Sequence, residues 1–199
     1  VVVDDCSEDD TINIASQAGA HVLPLAARLG AWGATQTGIR HLLQQGFDIV
    51  ATLDADGQHE PESLPALLAP VIKGAADVAI GTCPGRVSRL RLLAWMMMKT
   101  TSGLRMEDIT SGFRVYNRRA LVELADARAT LLDYQDVGVL LHLQAAGLTL
   151  LDVPVQMQSR CEGSSRVFHS WLVVGRYMLQ TLVLGLSKRR LSAQTENKT

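Results

Sequence analysis

The chain's 199 residues are enough for one domain with a sizeable core. Its 47% hydrophobic and 20% charged content is that of a globular protein, and a net charge of −1 gives no footprint for a general nucleic-acid binder. Cys6, Cys83 and Cys161 lie too far apart to form a disulfide or metal pattern, which argues for a reducing, cytosolic setting. There is no signal-peptide pattern, and no stretch reaches the roughly 20 uninterrupted apolar residues that span a bilayer.

Val1-Val2-Val3 reads as a strand that ends in Asp4-Asp5. The polar turn Cys6 to Asp10 then leads into a helix over residues 11–18. A short strand is expected at 21–23 and a helix at 31–45, stopped by Gly46. The β-branched run at 49–53 predicts a buried strand. Pro61 near a first turn and Gly74 past an end bracket a helix over 61–72. Strands are expected at 77–81, 113–116 and 148–155, and helices at 89–101, 118–124 and 136–146. This alternation argues for a mostly parallel sheet with helices on both faces. A polar loop at 158–166 precedes the apolar stretch 171–186. Residues 167–190 read as an amphipathic helix suited to a membrane interface, and 191–199 as a disordered tail.

The most informative segment is Leu53-Asp54-Ala55-Asp56-Gly57-Gln58-His59. Two carboxylates two residues apart share one side of an extended segment. They repel unless a cation lies between them. Hard oxygen ligands in an open site suit Mg²⁺ or Mn²⁺ shared with substrate phosphates, and the carboxyl ends of strands are where open α/β sheets bind ligands. Asp54, Asp56 and Gln58 are therefore the candidate metal ligands. The alternative use of the acidic pair is to cap the helix that begins at Pro61. Asp4-Asp5 forms a second acidic pair at a second strand end. The loop Asp108-Ile109-Thr110-Ser111-Gly112-Phe113-Arg114 offers hydroxyls and an Arg whose planar fork suits a phosphate. Arg160 to Arg166 is a polar loop with two cations that could close over a diphosphate.

In this order and spacing, these four motifs resemble glycosyltransferase family 2, in the branch of dolichol-phosphate mannosyltransferase and other polyprenyl-phosphate sugar transferases. The resemblance runs from Val1 to about Arg166. It implies a GT-A fold for residues 1–166, a nucleotide-sugar donor, a Mg²⁺ or Mn²⁺ ion and transfer with inversion to an acceptor such as a polyprenyl phosphate. By motif position, Asp4, Asp5 and Asp54 would serve the donor, with Arg160 and Ser165 in the loop over its diphosphate. Asp54, Asp56 and Gln58 would hold the metal. Ser111 and Arg114 would meet the acceptor phosphate. A phosphate acceptor is already anionic near neutral pH, its second pKa being about 6. A sugar hydroxyl would instead need a base, for which Asp108 and Asp136 are the candidates. The resemblance also implies a strand upstream of Val1, so the chain is expected to be N-terminally truncated with strand edges left unpaired. The expected setting is the cytoplasmic face of a membrane. Two other readings remain: a truncated, non-catalytic membrane-associated binding protein, and a haloacid-dehalogenase-like phosphatase using Asp54 and Asp56.

Overall fold

The computed structural model describes residues 1–83, 106, 111–132 and 137–158. The expected helix at 89–101, the segment 167–190 and the tail 191–199 lie outside the described residues.

The described residues hold six strands and five α-helices. Strand β1 (Val2–Asp4) leads through α1 (Thr11–Gln17) to β2 (Val22–Pro24), which pairs parallel with β1. Helix α2 (Gly30–Gln44) ends where Gly46 takes φ +86°, a value that favours glycine. Strand β3 (Ile49–Thr52) follows, then a 3₁₀ turn (Pro61–Ser63), α3 (Leu64–Ile72) and β4 (Val78–Thr82). Strand β5 (Arg114–Asn117) runs directly into α4 (Arg118–Ala125), capped by the Asn117 side chain, which accepts from the Ala120 N–H. A 3₁₀ turn (Ala127–Leu131), α5 (Val137–Ala145) and β6 (Leu150–Pro154) complete it.

The larger sheet has the order β3-β5-β4-β6. Strand β5 is antiparallel to both β3 and β4, while β4 and β6 are parallel. Thus β3, β4 and β6 share one direction and β5 alone opposes them. A hydrophobic run reveals a strand but not its direction, which hydrogen bonds to distant partners decide. Among the described residues β1 pairs only with β2, and β3 only with β5.

Alternation along the strands builds two cores. Val78, Ile80 and Tyr116 face the larger one, shared with Leu121 and Leu124 of α4 and Leu140 and Leu143 of α5. Ala79, Phe113 and Val115 face the other, against Leu67 and Val71 of α3. All five residues of β4 are buried, as expected of a strand covered on both faces.

Polar side chains tie α2 to the end of α4. Trp32, Gln36 and Arg40 recur every four residues and so line one face of α2. Trp32 Nε1 donates to Ala129 O (2.7 Å), Gln36 Nε2 to Leu124 O (2.8 Å) and Arg40 Nε to Ala125 O (2.8 Å). Leu124 and Ala125 close α4, whose last carbonyls have no partner within the helix; α2 supplies their donors. A second polar anchor is Asp77. Its carboxylate accepts from the Thr149 N–H (2.8 Å), Asn117 Nδ2 (2.7 Å) and Arg119 (3.1 Å). Burial works against its ionisation, but the Thr149 and Asn117 hydrogen bonds and the Arg119 charge outweigh it. They hold the carboxyl below its ordinary value.

Candidate active site

Strand β3 ends at Thr52, so the acidic pair lies beyond the strand. The relative orientation of Asp54 and Asp56 therefore comes from a bend and not from strand alternation. Gly57, at φ +71°, allows the bend. The Asp56 carboxylate closes it by accepting the Gln58 N–H at 3.1 Å, a local side-chain turn typical of Asp. No side chain caps the 3₁₀ turn at Pro61 or α3, so the acidic pair is not spent as a helix cap.

Two distant segments brace this bend. Thr52 Oγ1 donates to Gly112 O (2.8 Å), tying the strand end to the Ser111-Gly112-Phe113 loop. A Cβ placed on Gly112 would lie 2.5 Å from Asp54 Oδ2. Glycine is what lets the Asp54 carboxylate rest against that backbone. On the other side, the Gln158 N–H donates to Gln58 O (2.9 Å), and His59 bridges antiparallel to Met157. The segment leading toward Arg160 is thereby fastened to the acidic bend.

His59 lies inside this junction. Its Nδ1 accepts the Asp54 N–H at 3.1 Å, and its ring stacks on Phe113 with centroids 5.0 Å apart. The His59 side chain is 6% exposed, whereas that of Asp54 is 51% exposed. The Asp54 carboxylate thus faces solvent from a buried support. Asp56 and Gln58 are half-buried.

The other acidic pair has two separate jobs. Asp4 is buried, its Oδ2 accepting the Ser7 N–H (3.2 Å). Asp4 Oδ1 is buried without a hydrogen-bond partner among the described residues. Asp5 accepts the backbone N–H groups of Leu29 (2.6 Å) and Gly30 (2.9 Å). Those groups open α2, so the carboxylate meets the positive end of the helix dipole. Beside it is a pocket of about 540 Å³ lined by Asp5, Cys6, Ser7, Glu8, Asp9 and Arg28. Arg28 reaches into this turn, donating to Cys6 O at 3.1 Å.

Ser111 is buried, and its Oγ accepts the Phe113 N–H (3.3 Å). Arg114 is fully buried in β5, opposite Thr52 on β3 and Ile80 on β4. Asp108, Asp136, Arg160 and Ser165 lie outside the described residues. Sequence reasoning missed Arg28, the use of His59 as an acceptor and the closeness of Gly112 to Asp54. For Gly112 the signal was a glycine beside a hydroxyl residue in a candidate site loop, and for His59 its place next to Gln58; Arg28, 22 residues from Cys6, carried no local signal.

Among the described residues, no three His, Cys, Asp or Glu side chains gather into a closed metal cage. The ligand types expected at this bend, two carboxylates and one neutral amide oxygen, would make an open oxygen set. Such a set fits a hard divalent ion that completes its coordination with water and substrate phosphates. The carboxylates just beyond β3, the glycine-backed loop and the parallel strands β3, β4 and β6 make an arrangement of α/β type. Residues 1–125 match Glycosyl transferase family 2, and the chain belongs to that family; it is a glycosyltransferase with a GT-A-like fold.

Among its relatives is the undecaprenyl-phosphate mannosyltransferase of Micrococcus luteus, 31% identical over 95% of this chain and 83% of that protein. The polyprenol monophosphomannose synthase of Mycolicibacterium smegmatis is 32% identical over 84% of this chain and 69% of that protein. In fold, the chain is similar to glucosyl-3-phosphoglycerate synthase from Mycobacterium tuberculosis, solved with Mn²⁺ and UDP-glucose. That likeness has a TM-score of 0.62 at 20% identity and covers 93% of this chain and 67% of that one. Family membership overturns the phosphatase alternative for Asp54 and Asp56.

Proposed function

We propose that this chain transfers a sugar, with inversion, from a nucleotide-diphosphate donor to a polyprenyl (dolichyl-type) phosphate at a membrane surface. The observation that carries this reading is the meeting of three segments at the end of β3. The acidic bend at Asp54–Gln58 is tied to the Gly112 loop and to the segment leading toward Arg160. Donor, metal and acceptor functions then share one junction. The names of the polyprenyl-phosphate mannosyl relatives support the acceptor class.

Asp54, Asp56 and Gln58 would hold Mg²⁺ or Mn²⁺. When bound, that ion neutralises charge growing on the departing nucleotide diphosphate. The open pocket by Asp5 and Arg28 would take the nucleoside end, with Asp5 holding α2 against it. Asp4 Oδ1, without a partner among the described residues, would accept one further donor. Ser111 and Arg114 are assigned to the acceptor phosphate, and Arg160 and Ser165 to closure over the diphosphate. An ionised phosphate acceptor requires alignment rather than deprotonation. Asp108 and Asp136 would act as bases only toward a hydroxyl acceptor. Residues 167–190 would rest on the membrane face.

Calorimetric titration with UDP-glucose and GDP-mannose, in Mn²⁺ and then in EDTA, tests the donor half. Transfer of labelled sugar to a short polyprenyl phosphate tests the acceptor half. Metal-dependent binding of one donor followed by lipid labelling is the expected result. A chain folded by circular dichroism that binds neither donor would favour the non-catalytic membrane-associated reading instead.

A further inference from the structure

The best-supported unassigned group in the site is the imidazole of His59. It touches both halves of the junction, its Nδ1 accepting the Asp54 N–H at 3.1 Å and its face lying against Phe113 at 5.0 Å with the planes 23° apart. For Nδ1 to accept, it carries no proton. The ring is then neutral, with its proton on Nε2. Nε2 lies 3.9 Å from Asp54 Oδ2, too far for a hydrogen bond. The ring therefore holds the Asp54 backbone and leaves the carboxylate to other partners.

Backbone position matters because Asp54 lies beyond the strand. The ladder with β5 stops at Thr52, and nothing in the strand itself fixes the next peptide units. Phe113 is fully buried in the core against α3. It supplies a rigid platform for the imidazole, and the imidazole carries that rigidity to the exposed bend. The antiparallel bridge from His59 to Met157 holds the same residue from its backbone side.

Resting on the metal site proposed above, we infer that His59 is a positioning residue. Its ring nitrogen sets the Asp54 peptide, and its stack on Phe113 couples the metal-binding bend to the acceptor-side loop. It touches neither the metal nor the substrate. Outer-shell groups that orient a metal ligand contribute about tenfold to a hundredfold in affinity.

Two substitutions separate the ring's two contacts. His59→Phe keeps the aromatic stack and removes the acceptor. His59→Asn removes the stack but places an amide oxygen about where Nδ1 stands. Each full-length variant is titrated with Mn²⁺ and whichever donor the wild type binds, its melting temperature is measured, and exchange of the Asp54 amide hydrogen is followed. Expected are a drop of about tenfold or more in metal-dependent donor affinity for His59→Phe, recovery to within about threefold for His59→Asn, and faster Asp54 exchange in His59→Phe alone. Equal losses in both variants, or donor affinity in His59→Phe matching wild type, would overturn the inference. If wild-type protein binds no donor, the proposed function fails on its own. Amide exchange still decides His59 in that case: protection lost in His59→Phe and kept in His59→Asn supports the positioning role, and protection kept in both overturns it.

Discussion

Gly112→Ala separates the geometry of this site from the stability of the fold. The new Cβ would lie 2.5 Å and 2.7 Å from the two Asp54 carboxylate oxygens, whereas ordinary contact begins at 3.4 Å. The carboxylate must retreat by about 0.9 Å to relieve the closer contact. It can do so without disturbing the core, because half of the Asp54 side chain faces solvent. Gly112 does not have the positive φ that only glycine tolerates well. Replacing it with alanine removes unfolded-state freedom, which alone stabilises by about 0.4–1 kcal/mol. Stability should therefore hold or rise slightly. Donor affinity should not, because disturbing the orientation of a metal ligand costs about tenfold to a hundredfold in affinity. Calorimetry with Mn²⁺ and the preferred donor measures the loss, and thermal unfolding measures the fold. Donor affinity within about threefold of wild type would refute the reasoning, since the carboxylate's place against Gly112 would then be irrelevant. A large fall in melting temperature would refute the other half, since Asp54 would then be unable to swing aside.

Other substitutions test neighbouring claims. Asp56→Ala should abolish metal-dependent donor binding while circular dichroism stays unchanged, and a donor affinity that still responds to EDTA in that variant would count against the metal assignment. Gln36→Leu leaves the Leu124 and Asp126 carbonyls without the side-chain donor they share; a loss of about 1–3 kcal/mol is expected by urea denaturation, and no loss would mean water replaces it. Asp77→Ala should cost about 1–3 kcal/mol, because the Thr149 N–H and the Asn117 amide lose a charged acceptor that is itself buried, while the exposed Arg119 contributes little. The Asp77 carboxyl is held below its ordinary value, so its stabilisation is full above the unfolded value of about 3.9 and disappears as pH falls through the lower folded value. Melting curves from neutral to strongly acidic pH should show Asp77→Asn losing less stability on acidification than wild type, and parallel curves would contradict the assigned hydrogen bonds.

Local spacing made most elements legible. The β-branched run before Asp54 formed β3, and the apolar period from Ala31 formed α2. Gly46, Gly74 and Gly147 follow the ends of α2, α3 and α5, each at positive φ, because only a residue without Cβ takes that conformation cheaply. The acidic pairs were recognisable because each follows a hydrophobic run, although Asp54 and Asp56 lie in a bend beyond β3 and not in the strand. The short 3₁₀ turn at Ala127–Leu131 was not legible, having neither a helical nor an alternating period.

What the sequence determined by itself was chemical inventory and local form: two acidic strand ends, a glycine-backed loop, and the strand–helix alternation that places them in one family of folds. Only the tertiary structure decided how the inventory is used. It reversed β5 against its neighbours, turned Asp5 into the anchor of a helix 24 residues onward, and set Gly112 against Asp54 and His59 against Phe113. Periodicity reports which face of an element is buried, because that follows from neighbours a few residues away. Hydrogen bonds and close contacts between residues tens of positions apart follow from how the elements stack, and no local pattern encodes them.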